Sequence, residues 1–173
     1  RELLNQCVQY LNDIHVNCIK LDATPMGKKL YLSFGFRDEY TLKRVKGKCK
    51  PINYDNKNIT PLKIEKVKIF DKKYFIADRS NILDRLYKEF PDLCFQSIDK
   101  NDIINGYVMV REGISSYHLG PLVSENKNIS INLLSHIFSL LQDKEIIFDI
   151  GEHHKEVIDF LVNNGFDIQR ELY

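Results

Sequence analysis

What this sequence lacks narrows it first. No apolar run reaches the roughly 18 residues that a membrane span needs, so no membrane partner is expected. Neither sign of charge is in excess, since 25 basic and 24 acidic side chains leave a formal net charge of +1. A nucleic-acid-binding face needs a basic patch or excess, and nucleic acid therefore drops out of the expected partners. The four cysteines, Cys7, Cys18, Cys49 and Cys94, form no C-x-x-C pair. Three of them fall in apolar periodic segments, so buried free thiols in a reducing, cytoplasmic setting are expected. No signal-peptide pattern opens the chain, which begins with Arg1 rather than Met.

What is present is ordinary in bulk and particular in order. The 173 residues, 43% hydrophobic and 28% charged, suit one domain or two small ones. Residues 2–12 have the helical spacing, with Leu3, Leu4, Cys7, Val8 and Leu11 on one face. Val16 to Leu21 is β-rich and reads as a central strand ending at Asp22. Thr24 suits an N-cap and Pro25 the first helical position, where a missing N–H has no intrahelical partner to lose. Gly35 then ends that helix as a left-handed residue with Phe36 folding back, and Tyr40 to Val45 continues as a strand. Residues 46–66 collect Gly47, Pro51, Asn53, Asp55, Asn56, Asn58 and Pro61 and read as a linker. The lysines at 43–50 and 63–73 read as solvated linker positions.

A second unit follows from about residue 67. Ser80 or Asp78 caps a helix with Ile82, Leu83, Leu86, Tyr87 and Phe90 on one face, stopped by Pro91. Segments 93–98, 104–111 and 115–123 read as three antiparallel strands, with Pro121 marking an edge or a bulge. Residues 129–142 form an apolar-faced helix, 145–150 a buried strand, and Val157 to Val162 another helix closed by Gly165-Phe166. The two ends of the chain therefore repeat each other, residues 1–45 against 129–173. The interval from Asp149 to Gly165 exceeds that from Asp22 to Gly35, so the second copy is read as three residues longer. Elements precede the second copy and none precedes the first, so the first unit reads as cut in half. A half-unit exposes an apolar edge, and association or swapping of chains is one way to cover it.

The segment Asp22-x-Thr24-Pro25-x-Gly27-x-x-Leu30-Tyr31-x-x-x-Gly35-Phe36 resembles the carboxyl half of a GNAT acetyltransferase. Arg1-Glu2-Leu3-Leu4 resembles the start of the helix that follows that family's Gly-rich pyrophosphate loop. Ala77-Asp78-Arg79-Ser80, Gly106-Tyr107, Arg111-Glu112-Gly113 and Leu119-Gly120-Pro121, taken in order, are similar to the C-terminal domain of bacterial tandem GNAT proteins of the YitH/HolE type. The resemblance implies a mixed α/β fold: a partial GNAT unit at 1–45, a linker at 46–66, and a nearly complete GNAT-like unit at 67–173 with a mainly antiparallel sheet and helices on both faces.

It also implies a chemistry. Acetyl-CoA would be the donor and a small-molecule amine or amino-acid-type compound the acceptor, attacking the thioester directly. The departing thiolate then needs a proton, and a phenol of pKa about 10 is a suitable donor. Tyr31 stands at the family's general-acid position, with Thr24, Gly27 and Lys28 where the family contacts pantetheine; Thr24 replaces a frequent Asn. In the second copy Leu161 stands at Tyr31's place, and the loop Ser124-Glu125-Asn126-Lys127-Asn128 lacks the glycines that let main-chain N–H groups converge on a pyrophosphate. The second unit therefore reads as having lost donor chemistry, buttressing the first or lining its acceptor pocket.

Other readings stay beside this one. Tyr31 can instead pack its ring at a domain edge, and both units can be non-catalytic binding or interaction modules. This chain by itself is expected not to transfer acetyl groups. No metal site is expected: His153 and His154 are adjacent and diverge on a helix, so with Glu152 and Asp149 they read as an exposed first turn. Cys18 as a nucleophile is disfavoured by its place in an expected buried strand. In the resembled fold the strand that holds Pro121 splays from its neighbour and opens a cleft, and Tyr117 and His118 would stand beside it.

Overall fold

The computed structural model describes residues 1–75 and 77–173. The elements run α1 (Glu2–Asp13), α2 (Pro25–Leu32), β1 (Leu42–Lys48), β2 (Ile59–Pro61), α3 (Ile64–Asp71), α4 (Ser80–Glu89), β3 (Cys94–Ile98), β4 (Ile104–Glu112), β5 (Tyr117–Ser124), α5 (Lys127–Leu140), β6 (Glu145–Gly151), α6 (Lys155–Asn163) and β7 (Phe166–Leu172). The mixed α/β architecture expected from the sequence is present. The seven strands form one sheet in the order β2-β3-β4-β5-β6-β1-β7. All neighbours are antiparallel except β5 and β6.

Alternation along β4 sends side chains to two cores. Val108 and Val110 join Leu133, Leu134, Ile137 and Phe138 of α5 on one face. Tyr107 and Met109 join Val67 and Phe70 of α3 and Leu83 of α4 on the other. The second core contains an ion pair. Asp71 is 2% exposed, and Arg79 grips its carboxylate with two bonds of 2.8 and 2.7 Å. The Tyr107 hydroxyl donates to the same carboxylate at 2.5 Å, and Phe75 stacks 3.9 Å from the guanidinium. Burial pushes the Asp71 carboxyl up, but the Arg79 and Tyr107 hydrogen bonds outweigh it and hold it below the usual carboxylate range. Arg79 and Tyr107, two residues of the ordered motif set, thus fix the residue before α4 to the sheet.

The two ends of the chain match in step along the sequence, although their elements match only in part. Leu3, Leu4, Cys7, Val8 and Leu11 correspond to Leu133, Leu134, Ile137, Phe138 and Leu141 at one constant offset in numbering, and Tyr31, Gly35 and Phe36 correspond to Leu161, Gly165 and Phe166 at the same offset. The expected three-residue excess in the second copy is absent. Glu152, not Asp149, stands at that offset from Asp22, and Asp149 is held in β6 by a bidentate contact with Arg44 at 2.7 Å.

Several expectations need correction. Val16 to Leu21 is not a strand. It has no neighbour to pair with, and a strand exists only through the hydrogen bonds of its ladder. Helix α1 forms, but none of its residues is buried. Cys7 on α1 and Cys18 in the unpaired 16–21 segment are exposed, while Cys49 and Cys94 are buried. The 63–73 lysines are not linker: residues 64–71 are α3, whose Val67, Phe70 and Asp71 are buried. Of the segment 46–66, residues 46–48 belong to β1, and Ile59–Pro61 pairs with β3.

The strand at 42–48 lies in the sheet of the other copy, between β6 and β7. In return, the end of β7 reaches back. Ala23 and Tyr173 exchange two main-chain bonds of 2.8 and 2.9 Å. The first copy thus lends β1 to the sheet of the second, and the second returns the residue that follows β7.

Candidate functional site

The helix α2 is built to present one face. The Thr24 hydroxyl accepts from the Gly27 amide at 3.2 Å and Pro25 sits in the first turn, which satisfies donors that a helix start leaves free. At the other end Gly35 takes φ +88°. Its amide donates to Leu32 at 3.1 Å and that of Phe36 to Tyr31 at 3.3 Å, the paired bonds of a glycine-stopped helix. This turn brings the Phe36 ring edge-on to Tyr31 at 6.0 Å between centroids. On the other side of Tyr31, one turn back, Gly27 leaves room: a Cβ there would lie 3.2 Å from the Tyr31 ring. The Tyr31 ring is therefore flanked by Gly27 and Phe36.

Tyr31 lines a crevice of about 600 Å³ walled by α1, the 16–23 segment, α2, the 34–40 loop and Tyr173. Lys28 shares that wall, its ammonium 2.5 Å from Asp38 and 3.7 Å above the Tyr173 ring. Lys20 bonds Glu39 at 2.7 and 2.6 Å along the same rim. Of the four expected site residues, Lys28 and Tyr31 line the crevice. Thr24 and Gly27 do not; the first is the helix cap and the second is the floor beneath Tyr31. Sequence reading missed Tyr173 and Asp38. Tyr173 stands at the far end of the chain from Tyr31, and no local pattern signals that pairing.

The corresponding place in the other copy is closed. Leu161 is fully buried. At the start of α5 the Asn126 side chain accepts from the amides of Asn128 at 3.0 Å and Ile129 at 3.1 Å, so it occupies donors that an incoming anion would need. Lys127 of α5 pairs with Glu156 of α6. β5 and β6 pair only at Tyr117 with Ile146 and His118 with Ile147. Beyond His118 they part, past a register shift of β5 against β4 between Leu119 and Leu122 that includes Pro121. Tyr117 and His118 thus stand at the base of the cleft. Burial, then the nearby Arg111 and Arg44, holds the His118 imidazole below its usual range. His153 and His154 are exposed, and rather than diverging their rings meet at 4.0 Å between centroids with the planes tilted by 44°. Among the described residues no group of three or more His, Cys, Asp or Glu converges as a metal site, and no helix is long and apolar enough to cross a membrane.

A mixed sheet whose one parallel pair splays apart, flanked by α5 and α6, is an acetyltransferase-type fold. The family model described as Acetyltransferase (GNAT) domain matches residues 67–172, and the chain belongs to that family. The match covers the copy that carries Leu161, not the one that carries Tyr31. Among solved structures, a Pyrococcus horikoshii protein described as a candidate acetyltransferase is 24% identical with a TM-score of 0.71, over 96% of this chain and 56% of that one. A GCN5-related N-acetyltransferase from Sphaerobacter thermophilus is 9% identical with a TM-score of 0.59, over 98% of this chain and 66% of that one. A GNAT-family acetyltransferase from Colwellia psychrerythraea is 12% identical with a TM-score of 0.55, over 84% and 59%. At these identities the likeness shows the fold. The chain spans 56% of the P. horikoshii protein and 62% of a similar one from Novosphingobium aromaticivorans. No curated protein matches it.

Proposed function

We propose that the chain is part of a tandem GNAT N-acetyltransferase of the YitH/HolE type, with residues 1–45 the carboxyl half of the donor-binding unit and 67–173 a second unit that does not use the donor. The observation that carries this is the open crevice at Tyr31 set against the sealed position at Leu161. The crevice fits the thiol end of acetyl-CoA: it has the volume for a slender arm, and among the described residues none of 17–22 makes a main-chain hydrogen bond to another main-chain group, which leaves amide partners for the amides of pantetheine. Acetyl-CoA, when bound, supplies an activated thioester carbonyl for an amine to attack.

Tyr31, carried at the crevice wall, would give its phenolic proton to the departing sulfur. Lys28, three positions earlier on the same helix face, would line the arm's path, and its contact with Asp38 and Tyr173 fixes its place. Gly27 leaves space for the Tyr31 ring and Phe36 packs edge-on against it, and holding a catalytic group in place is the part of catalysis that positioning contributes. The acceptor is a small amine or amino-acid-type compound in this reading. A second reading, that of a scaffold without donor chemistry, is favoured for residues 67–172 by the Asn126 cap and by Leu161.

The test is a longer protein carrying this chain, compared with and without acetyl-CoA by calorimetry, alongside its Tyr31→Phe variant. Binding kept and turnover lost in the variant, by roughly 10²- to 10⁴-fold as for a lost general acid, supports the proton-donor role. No binding to the wild type leaves the scaffold reading for both units. Turnover by this chain alone would contradict the division proposed here.

A further inference from the structure

The second copy reaches the Tyr31 crevice through the end of its last strand. Ala23, immediately before the cap of α2, exchanges both main-chain bonds with Tyr173, the closed pair of an antiparallel ladder. That contact sets Tyr173 beside the first turn of α2. Its ring lies 3.7 Å beneath the Lys28 ammonium. The same ammonium is 2.5 Å from Asp38 on the loop after Gly35, so Lys28 ties the strand end to the opposite wall. The Tyr173 hydroxyl is taken up by Glu171, to which it donates at 2.9 Å, and Lys43 of β1 donates to the same carboxylate at 2.6 Å.

We propose that Tyr173 is a positioning residue of the Tyr31 crevice, holding Lys28 by its ring and thereby completing the wall of one copy with the strand of the other. The proposal rests on the donor-site reading of that crevice. It gives the copy with Leu161 a task that its own sealed position cannot perform. A cation over an aromatic face is held by the ring rather than by the hydroxyl, so the phenol oxygen is dispensable and the ring is not.

Two variants test it in the intact protein, Tyr173→Phe and Tyr173→Leu. Lysines are dimethylated with ¹³C-formaldehyde, and the Lys28 resonance is assigned by its loss in Lys28→Gln. The stacked ring shifts that resonance upfield in the wild type and in Tyr173→Phe. Tyr173→Leu returns it to the position of an exposed lysine and weakens acetyl-CoA binding, read by calorimetry, about two- to fivefold. An unshifted wild-type signal, an equal loss in both variants, or wild-type donor affinity in Tyr173→Leu overturns the proposal. If the wild type binds no acetyl-CoA, the donor-site reading fails, and the Lys28 signal alone decides whether Tyr173 positions it.

Discussion

Helices α1 and α5 carry one apolar pattern in two settings. Leu133, Leu134, Ile137 and Phe138 are fully buried and Leu141 is 7% exposed. At the matching positions of α1 nothing is buried, and Leu3 is 73% exposed. The sequence of a helix sets its face, but a sheet must lie against that face before burial stabilises it. α5 has β3, β4 and β5 to lie on, whereas no residue of α1 is buried against a sheet. The strands differ more sharply still. β6 is paired on both sides, with β1 and β5, and its counterpart at 15–21 is no strand at all. A helix closes its own hydrogen bonds, whereas a strand borrows them from a neighbour.

The largest effect that sharpens this contrast lies in the elements that lead into the C-terminal copy. Replacing Arg79 with Met leaves the buried Asp71 carboxylate without its cation and is expected to cost about 3–5 kcal/mol in urea denaturation. The acid limb gives the sign. The Asp71 carboxyl is held below its ordinary range in the folded protein, so its contribution is fully present above the unfolded pKa of about 3.9 and is lost as pH falls through the folded value. The stability gap between wild type and Arg79→Met should therefore narrow in acid. A gap that stays constant from neutral pH to about pH 2 would remove Asp71 as its source.

Next in size is the paired truncation across the repeat. Leu133→Ala is expected to cost about 2–5 kcal/mol, as for a methyl-lined core position. Leu3→Ala, at the same place in the first copy, should fall within about 0.5 kcal/mol. Equal losses would mean that something covers α1. Below this comes the exchange at the candidate site. Leu161→Tyr adds a ring where no space is open and is expected to cost about 1–3 kcal/mol through overpacking. A variant as stable as the wild type would show that the second copy has room for a phenol, and the contrast with Tyr31 would lose its basis.

Most of the C-terminal copy is legible in the sequence because its signals agree with its surroundings. The apolar stripe of α5, the Pro91 stop, the three antiparallel strands and Gly165 each stand where local pattern puts them, and so do Leu83, Leu86 and Tyr87 of α4, though Ile82 of its expected face is exposed. The cap at Thr24 and the stop at Gly35 are legible because both are backbone demands met within a few positions. What pattern does not carry is partnership. Val16 to Leu21 has the composition of a strand and no neighbour. The strand at 42–48 has a neighbour, but it is β6 and β7 of the other copy, far along the chain. α3 is hidden because its lysines alternate with Val67 and Phe70, so charge masks a buried face. Tyr31 and Lys28 are legible through their place on α2; Tyr173 is not, because its link to them is the strand exchange itself.

The smallest effect is a matter of thiol counting, and it reads the same contrast chemically. Cys7 and Cys18, both in the first copy, are exposed. Burial pushes the Cys49 thiol up to about 12 and the Cys94 thiol up to about 11, so neither presents thiolate at neutral pH. An aromatic disulfide reagent attacks thiolates that it can reach. Two thiols should therefore react at once, and two only as fast as the fold opens. Serine at position 7 and at position 18, one at a time, should each remove one fast equivalent. Four fast thiols would mean that the sheet of the C-terminal copy is open. A slow Cys7 beside a fast Cys18 would mean that the apolar face of α1 is covered in solution by another copy of the chain, and its disappearance on dilution would identify that cover as association rather than packing within one molecule.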